Sequence, residues 1–308
     1  MNAQTERLTL SGPAGAIEAV RDAATLADGA AAPRGVAIIA HPHPLFGGTM
    51  DNKVVQTLAR AFVQCGWTAV RFNFRGVGGT EGVHDEGQGE LQDLLAVVEQ
   101  VAPAAAGQRI ALAGFSFGAF VTSHALAALW PQGRVDQAVL VGTAASRFAV
   151  APVPPDAHLR TLVVHGEHDD TVPLAAVMDW ARPQILPVTV IPAGGHFFHG
   201  QLPLLKNLVV RHLQSQGWAP GSKVAILSKN CAWWMMSDLA IWMAGYVSVP
   251  LYPTLAPETI RQILAHSEAK ALFVGKLDGW EGMKPGVPAD LPCMSYPLSP
   301  ADAVTNYD

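Results

Sequence analysis

Short apolar runs recur through the first two thirds of the chain, and amphipathic stretches separate most of them. The runs have the length and the Val and Ile content of buried strands; they are residues 35–40, 68–74, 109–114, 137–142, 161–166 and 188–193. The amphipathic stretches are predicted helices, at 52–64, 89–101, 118–129, 174–181 and 202–213. This alternation predicts a mostly parallel sheet with helices on both faces, and residues 7–10 and 16–21 are expected to add an antiparallel hairpin at one edge.

The last ninety or so residues alternate in the same way but differ in composition. Strands are predicted at 223–230, 247–252 and 270–275, with helices at 231–246 and 257–268. Ten of the eleven histidines precede residue 218, whereas five of the eight tryptophans follow residue 217. Glycine and proline interrupt the helical pattern near 214–221. The sequence therefore predicts an α/β catalytic domain at 1–217 and a smaller α/β segment at 218–308.

Composition narrows the class of protein. Half of the residues are hydrophobic, 15% are charged, and the net charge is −5. Such a chain can bury a core, and because no block of like charge is present we expect neither a nucleic-acid nor a membrane-binding surface. The three cysteines have neither disulfide nor metal spacing, and the first residues lack a secretory pattern, so a cytoplasmic location is expected. Residues 232–252 contain Asp238, and prolines stand at the end of this stretch at 250 and 253. Both features favour a buried helix and strand over a membrane span.

The pentapeptide Gly114-Phe115-Ser116-Phe117-Gly118 joins a predicted strand to a predicted helix. G-x-S-x-G in this context holds a serine in a sharp, strained turn, where side chains at the flanking positions would clash. The helix that follows favours negative charge at its amino end. Ser116 is therefore a candidate nucleophile.

A serine hydroxyl needs a base, and the base needs an orienting acid. Asp169 follows the strand at 161–166, and His196 follows the last strand of the first part behind two glycines. The chain order Ser116, Asp169, His196 fits a sheet whose active site lies at the carboxyl ends of its strands. We expect these three residues to form a catalytic triad.

Each partner of the serine has a rival nearby in the sequence. Asp170 adjoins Asp169, and Glu167 is a weaker third candidate for the acid. His199 is the rival base, although it is expected to begin the final helix or to line the site. The sequence favours Asp169 and His196.

Two backbone N–H groups are needed to stabilise the oxyanion. One comes from the residue after the nucleophile, Phe117, and the other from the loop after the strand at 35–40. Pro42 and Pro44 have no N–H group, so His43 and Leu45 remain as equal candidates. The H-P-H sequence in this loop could suggest a metal site, but no third ligand follows at a suitable distance, and no metal is predicted.

Aromatic residues are expected to line the substrate pocket, namely Phe115, Phe46 and Phe197. Other polar residues are given structural roles. Asp51 or Asn52 is predicted to cap the next helix, and the acidic residues 85, 86 and 90 are predicted to form a solvated helix start.

Five segments carry a resemblance to a known family: HPHPLFGGTMDNKVV, FNFRGVGGTEG, GFSFGAF, HGEHDDTVP and GGHFFHG. With them, residues 5–216 resemble the α/β-hydrolase superfamily, in particular small bacterial members related to dienelactone hydrolases. The resemblance implies a serine hydrolase with the triad Ser116–Asp169–His196 that acts on esters without a cofactor. Dienelactone hydrolases use a cysteine nucleophile, so their lactone specificity is not implied for this chain. Only 18 residues separate the strands at 137–142 and 161–166, where many relatives insert a lid, and an open site is expected.

The predicted function is carboxylic-ester hydrolysis through an acyl-enzyme, on small esters with short or varied chains. One alternative is a thioesterase or peptidase with the same triad. Another is a non-catalytic binding protein, which the presence of all three triad candidates disfavours.

Three phrases in the second part, VAILSKN, DLAIWMAGYVSVPLYPTL and HSEAKALFVG, are similar to the beginning of AMP-forming acyl-CoA synthetases. The family's phosphate loop and its later ATP and acyl sites do not occur in 218–308. We expect a non-catalytic segment produced by gene fusion or truncation. Its helix is rich in Trp and Met, such as Trp233 and Trp242, and these side chains are expected to pack against the hydrolase or against a second copy, giving a possible homodimer.

Overall fold

The chain folds into two compact units, Met1–Gln216 and Gly217–Asp308. The structure is a computed structural model that describes residues 5–26, 32–215, 221–296, 299 and 305–306. The segment predicted to contain the domain boundary falls mostly at 216–220, outside the described residues.

The first unit is built on an eight-stranded sheet. Its strands are β1 (Thr5–Gly12), β2 (Gly15–Asp22), β3 (Val36–Ala40), β4 (Thr68–Phe72), β5 (Ile110–Phe115), β6 (Val135–Val141), β7 (Thr161–Gly166) and β8 (Thr189–Ile191). Their order is β1-β2-β4-β3-β5-β6-β7-β8. The strands from β4 to β8 in this order are parallel, and the β1–β2 hairpin pairs antiparallel at the β4 edge. The sheet therefore has the predicted parallel core and antiparallel edge.

Five helices cover both faces of this sheet: α1 (Lys53–Gln64), α2 (Gln88–Val101), α3 (Phe117–Leu129), α4 (Leu174–Ala181) and α5 (Leu202–Ser215). Residues of α1 and α5 form one apolar cluster with the sheet, and residues of α2, α3 and α4 form the other. Asn52 caps α1, since its side-chain oxygen accepts the Val54 N–H at 2.9 Å. Both layers bury apolar side chains against strands such as β5, which is buried along its whole length, as a central parallel strand should be.

The strand register brings the chemistry to one edge of the sheet. Gly114 near the end of β5 pairs with Ala40 on one side and with Leu140 on the other. Strand β7 continues the parallel array beside β6. Because the parallel strands end at a common edge, the loops after β3, β5, β7 and β8 meet there.

The prediction that the acidic residues at the start of α2 are solvated is wrong for Glu90. Glu90 is fully buried. Its carboxylate accepts the backbone N–H groups of Asp85 at 3.0 Å and of Gly87 at 2.8 Å, and His84 Nδ1 lies 2.7 Å away. A buried carboxylate is tolerated where such donors surround it, so Glu90 is a structural acid that fixes the entry to α2.

The second unit has a smaller, parallel sheet with the strand order β10-β9-β11-β12-β13. The strands are β9 (Lys223–Leu227), β10 (Val247–Leu251), β11 (Ala271–Val274), β12 (Cys293–Ser295) and β13 (Thr305–Asn306), and the helices are α6 (Ala232–Met243), α7 (Pro257–Ser267) and α8 (Trp280–Met283). Helix α7 and the short α8 share one apolar cluster with the sheet, and Ile241 of α6 belongs to the other.

Helix α6 keeps several large apolar side chains exposed: Trp233, Met235, Met236, Leu239, Trp242 and Met243. Trp242, for example, is 61% exposed. The homodimer expected from this segment stays a prediction. Among the helices that the structure describes, none is both long enough and apolar enough to cross a bilayer.

Candidate active site

Ser116 sits at the tight turn between β5 and α3. Its backbone has φ 57° and ψ −117°, a conformation that costs free energy for a residue with a side chain. The neighbouring glycines permit the turn. A Cβ atom on Gly118 would lie 2.5 Å from the carbonyl oxygens of Ala40 and His41, and one on Gly114 would collide with the Gly118 carbonyl. The strain and the two close approaches explain why glycine flanks the serine.

The three predicted triad residues lie together in one hydrogen-bonded chain. The Ser116 hydroxyl lies 3.0 Å from His196 Nε2, and His196 Nδ1 lies 2.7 Å from Asp169 Oδ2. All three side chains are buried. Since a carboxylate can only accept, His196 carries its proton on Nδ1 and presents the lone pair of Nε2 to the serine. This arrangement can take a proton from the hydroxyl during nucleophilic attack.

A turn after β7 orients the carboxylate of Asp169. Its Oδ1 accepts the backbone N–H groups of Thr171 at 3.0 Å and of Val172 at 2.7 Å. Burial raises the pKa of the Asp169 carboxyl, but the hydrogen bonds from His196 and from the Val172 N–H outweigh it, and the net pKa is lowered. The acid therefore stays ionised beside the imidazole.

A second buried histidine supports the same turn. His165 Nε2 donates to the Val172 carbonyl at 2.9 Å and lies 3.5 Å from Asp169 Oδ2. Burial lowers the pKa of His165, so this ring is neutral at pH 7. The role of His165 could not be predicted from the sequence, because its position inside a strand makes it look like an ordinary core residue.

The rival residues lie apart from the triad. Asp170 is exposed and accepts from the Thr171 hydroxyl at 3.4 Å, while Glu167 accepts the Ala193 N–H at 2.8 Å. His199 is exposed as well, and it precedes the start of α5 instead of beginning that helix. The structure thus brings Asp169 and His196, and not these rivals, to Ser116.

The two candidates for the first oxyanion donor have different surroundings. The Leu45 N–H donates to His43 Nδ1 at 3.2 Å, and the Leu45 side chain is exposed. The backbone N–H groups of His43 and Phe117 donate to no other residue within the described part of the chain, and both residues line the cleft above Ser116. This geometry favours the pair His43 and Phe117 over Leu45.

The role of His41, which begins the same loop, could not be predicted from the sequence. Its side chain is fully buried. Its Nε2 accepts the Phe74 N–H at 3.0 Å, and its Nδ1 lies 2.6 Å from the Pro42 carbonyl. Burial lowers the pKa of His41 to about 4. The only sequence signal was a histidine at the end of a buried strand, which does not distinguish this role from metal binding.

A cleft of about 440 Å³ opens over Ser116. Its walls comprise Pro42, His43, Phe46, Gly47, Gly48, Asn52, Phe117, Ala144, Arg147, Phe148, Thr171, Val172, His196 and Phe197. Two of the predicted pocket residues, Phe46 and Phe197, lie in this wall and are 73% and 44% exposed. A wall that combines several phenylalanine rings with a smaller set of polar groups is typical of a small-molecule site.

The prediction that Phe115 lines the pocket is wrong. Phe115 has no exposed surface, and its ring lies beneath His196 with the centroids 4.9 Å apart. Because it is the last residue of a fully buried strand, its side chain enters the apolar layer that contains α1 and α5. Phe115 therefore supports the imidazole from below and does not contact the cleft.

Two family models match different parts of the chain. One, described as serine aminopeptidase, S33, matches residues 31–153, and the other, described as AMP-binding enzyme, matches residues 195–302. An uncharacterized protein from Rickettsia prowazekii is 42% identical over 118 residues, or 37% of this chain. The chain spans 47% of that relative's length and 9–11% of the length of several CoA ligases. The fusion and the link to dienelactone hydrolases stay predictions.

Solved structures resemble the first part of the chain. An α/β serine hydrolase without a lid from Xanthomonas campestris has 35% identity and a TM-score of 0.63, with 71% of this chain and 99% of that chain covered. An α/β serine hydrolase homologue from Coxiella burnetii has 38% identity and a TM-score of 0.57, with 68% and 97% covered. These matches confirm the predicted fold class. Since two solved members are covered almost whole at more than 30% identity, the chain belongs to the α/β serine hydrolases.

Proposed function

We propose that the first unit hydrolyses carboxylic esters through an acyl-enzyme on Ser116. The observation that carries this proposal is the hydrogen-bonded chain from the Ser116 hydroxyl through His196 to Asp169, at 3.0 and 2.7 Å. At its Ser116 end, this row of hydrogen-bonded side chains opens onto a cleft where a carbonyl group can approach the serine. A nucleophile, a base and an orienting acid in contact are the elements that acyl transfer requires.

In acylation, Ser116 Oγ attacks the ester carbon while His196 Nε2 takes the hydroxyl proton. Asp169 stabilises the imidazolium that forms, because its carboxylate stays ionised. The negative charge on the former carbonyl oxygen is stabilised by the N–H groups of His43 and Phe117 and by the amino end of α3. His196 then gives its proton to the leaving alcohol as the carbon–oxygen bond breaks.

Deacylation follows the same route with water as the nucleophile. His196 removes a proton from water, the hydroxide oxygen attacks the acyl carbon, and the proton returns to Ser116 Oγ when the acid leaves. No cofactor is needed for either half. The cleft volume of about 440 Å³ and its exposed rims at Phe46 and Phe197 support small esters with short or varied chains as substrates.

A peptidase is the second candidate function, because the matching family model is described as a serine aminopeptidase. Amide hydrolysis needs firmer protonation of a poorer leaving group than ester hydrolysis does. Rates on an alanine p-nitroanilide and on the matched alanine p-nitrophenyl ester separate the two candidates. We expect the enzyme to cleave the ester at least a thousandfold faster than the anilide. If the enzyme instead accelerates both reactions by a similar factor over their uncatalysed rates, the peptidase is favoured.

The direct test compares p-nitrophenyl esters from acetate to octanoate with the wild-type chain, Ser116→Ala and the control Ser11→Ala, a change on the exposed β1 edge. We expect Ser116→Ala to lose about three or more orders of magnitude in kcat, while Ser11→Ala keeps the wild-type rate. Equal activity in the wild type and in Ser116→Ala would show that another group is the nucleophile. A folded wild type that is inactive on the whole series would favour a binding protein.

We assign no reaction to the second unit. It belongs to the part of the chain that matches AMP-binding enzymes. In a pyrophosphate-exchange assay with ATP and fatty acids of two to sixteen carbons, the full chain is expected to give no exchange above background. Acid-dependent exchange would contradict this assignment.

A further inference from the structure

The cleft wall contains one formally charged side chain, that of Arg147. The remaining wall residues are apolar, glycine, neutral polar or histidine. Phe46 and Phe148 stand beside Arg147, and the guanidinium carbon lies 5.9 Å from the centre of the Phe46 ring. The wall thus combines apolar rings with a single fixed positive charge.

No carboxylate of the described residues forms an ion pair with Arg147. Two buried arginines of the same unit do form ion pairs, Arg71 with Asp22 at 3.2 Å and Arg75 with Asp93 at 2.8 Å, whereas Arg147 is exposed. Arg147 is therefore a cation that faces the substrate space without an internal counter-ion.

Three acids are close to the wall in sequence or in their electrostatic effect: Glu86 and Glu90, whose charges act on His43, and Asp170, which precedes the wall residue Thr171. Glu90 is buried and hydrogen-bonded to backbone N–H groups and lies 2.7 Å from His84. Glu86 lies 3.8 Å from His84 Nε2, and Asp170 accepts from Thr171. None of these three acids is part of the cleft wall. The guanidinium of Arg147 therefore has no carboxylate of the cleft wall as a partner and is available to a ligand.

The charge of Arg147 also acts on His43, the residue favoured as an oxyanion donor. Burial is the largest cause that lowers the pKa of His43, and the neighbouring His84 lowers it as well. The carboxylates of Glu86 and Glu90 raise this pKa, and Arg147 makes the smallest contribution, which lowers it. The field of Arg147 thus extends to the part of the cleft where the reacting carbonyl would lie.

We infer that the cleft prefers esters that carry a carboxylate on a short apolar body, with the carboxylate bound by Arg147. This inference rests on the proposed esterase function and specifies its substrate class. The planar guanidinium matches a carboxylate with two parallel hydrogen bonds. The rings of Phe46 and Phe148 contact the hydrocarbon between the carboxylate and the ester group.

Two pairs of substrates test the inference on both sides of the ester bond. On the acyl side, mono-4-nitrophenyl adipate is compared with its neutral methyl ester. On the alcohol side, 4-acetoxybenzoate is compared with 4-acetoxybenzamide. Within each pair the quantity measured is the ratio of kcat/KM for the anionic ester to kcat/KM for the neutral ester, in the full chain. Comparing this ratio between variants removes the intrinsic reactivity of the substrates.

The variants are Arg147→Gln, Arg147→Lys and Arg109→Gln. Arg109 is an exposed arginine that precedes β5, at the strand end opposite Ser116. For at least one pair we expect Arg147→Gln to lower the ratio about tenfold, which is the scale of a charge-assisted hydrogen bond. Arg147→Lys should retain most of the preference, Arg109→Gln all of it, and added salt should reduce it in the wild type. Thermal unfolding checks that each variant is folded.

The outcomes separate the inference from the function on which it rests. Hydrolysis that depends on Ser116, with ratios that Arg147→Gln leaves unchanged in both pairs, overturns the inference alone. Hydrolysis of none of the four esters above the Ser116→Ala rate overturns the proposed function, and the inference with it. A fall in the ratio for Arg109→Gln equal to that for Arg147→Gln would show a general effect of net charge and also overturns the inference.

Discussion

His41 Nε2 accepts a hydrogen bond of 3.0 Å from the backbone N–H of Phe74, in the loop that follows the neighbouring strand β4. The proton of this imidazole is therefore on Nδ1, where it is donated to the Pro42 carbonyl at 2.6 Å. One buried ring thus ties the loop after β3 to the loop after β4. His43, two residues after His41, carries the N–H group that we assign to the oxyanion hole, so His41 is a positioning residue for that donor.

Replacing His41 by Phe should reduce turnover more than binding. The change leaves the Phe74 N–H and the Pro42 carbonyl without these partners, and the His43 N–H is no longer held in place. We expect kcat for p-nitrophenyl acetate to fall about a hundredfold, the scale of losing one oxyanion donor, with a smaller change in KM. His41→Gln, which can both donate and accept, should restore part of the rate.

The control for this change is His168→Phe at an exposed position, which should keep the wild-type kcat. If His41→Phe lowers the melting temperature but keeps kcat, the ring has a structural role only. Single-turnover rates of acylation measure the effect directly.

His41 should also make the first unit less stable in mild acid. Its pKa is about 4 in the folded protein against 6.5 for an ordinary histidine, so the unfolded chain binds more protons between these values. The stabilising contribution is complete above pH 6.5 and is lost as the pH falls towards 4. Over this range the free energy of unfolding should decrease by about 3 kcal/mol from this group.

Urea unfolding at half-unit steps from pH 4 to 7.5 measures the effect. The slope of the unfolding free energy against pH should be shallower in His41→Gln than in the wild type, although His41→Gln is less stable at every pH. In His168→Gln this slope should be unchanged. An equal slope in the wild type and in His41→Gln would contradict the assignment of a neutral buried ring.

The parts of the site that could be predicted from sequence are those with a local signature. Strand–helix alternation and the G-x-S-x-G turn placed Ser116 at the end of β5, and the chain order then pointed to Asp169 and His196. These inferences need only the rule that parallel strands end at one edge of the sheet. They do not need the positions of side chains within a strand.

What could not be predicted depends on the direction of side chains in a fully buried environment. Phe115 ends β5 and Phe117 begins α3. Because both elements are apolar and buried next to Ser116, the sequence does not show which of the two rings lines the cleft. Glu90 looks like a solvated helix start until the backbone N–H groups around it are seen. His41 and Arg147 matter through contacts with residues distant in sequence, for which a single chain carries no signal.

Exchanging Asp169 for Asn tests whether Asp169 or the adjacent Asp170 is the acid of the triad. The amide can donate a hydrogen bond to His196 Nδ1, which moves the imidazole proton to Nε2, the atom that must accept from Ser116. We expect kcat for p-nitrophenyl acetate to fall by about three to four orders of magnitude, as loss of the correct tautomer does in a serine triad. Asp170→Asn, at the exposed neighbour, should stay within threefold of the wild type. The reverse ranking of the two variants would make Asp170 the acid.

Gly118→Ala should weaken both the fold and the oxyanion hole. A Cβ atom at this position lies 2.5 Å from the carbonyl oxygens of Ala40 and His41, and these are backbone atoms at the end of β3. The helix α3 must therefore move away from the strand, which separates the N–H of Phe117 from that of His43.

We expect Gly118→Ala to lose about 3 kcal/mol of unfolding free energy, at the upper end for overpacking, and at least tenfold in kcat. The matched control is Gly79→Ala, because a Cβ there meets only the Glu18 side chain at 3.5 Å, an ordinary contact. Urea unfolding and p-nitrophenyl acetate hydrolysis measure the two effects on each variant. Equal stabilities for the two variants would mean that β3 and α3 separate without cost, contrary to the tight packing that holds Ser116 in its strained turn.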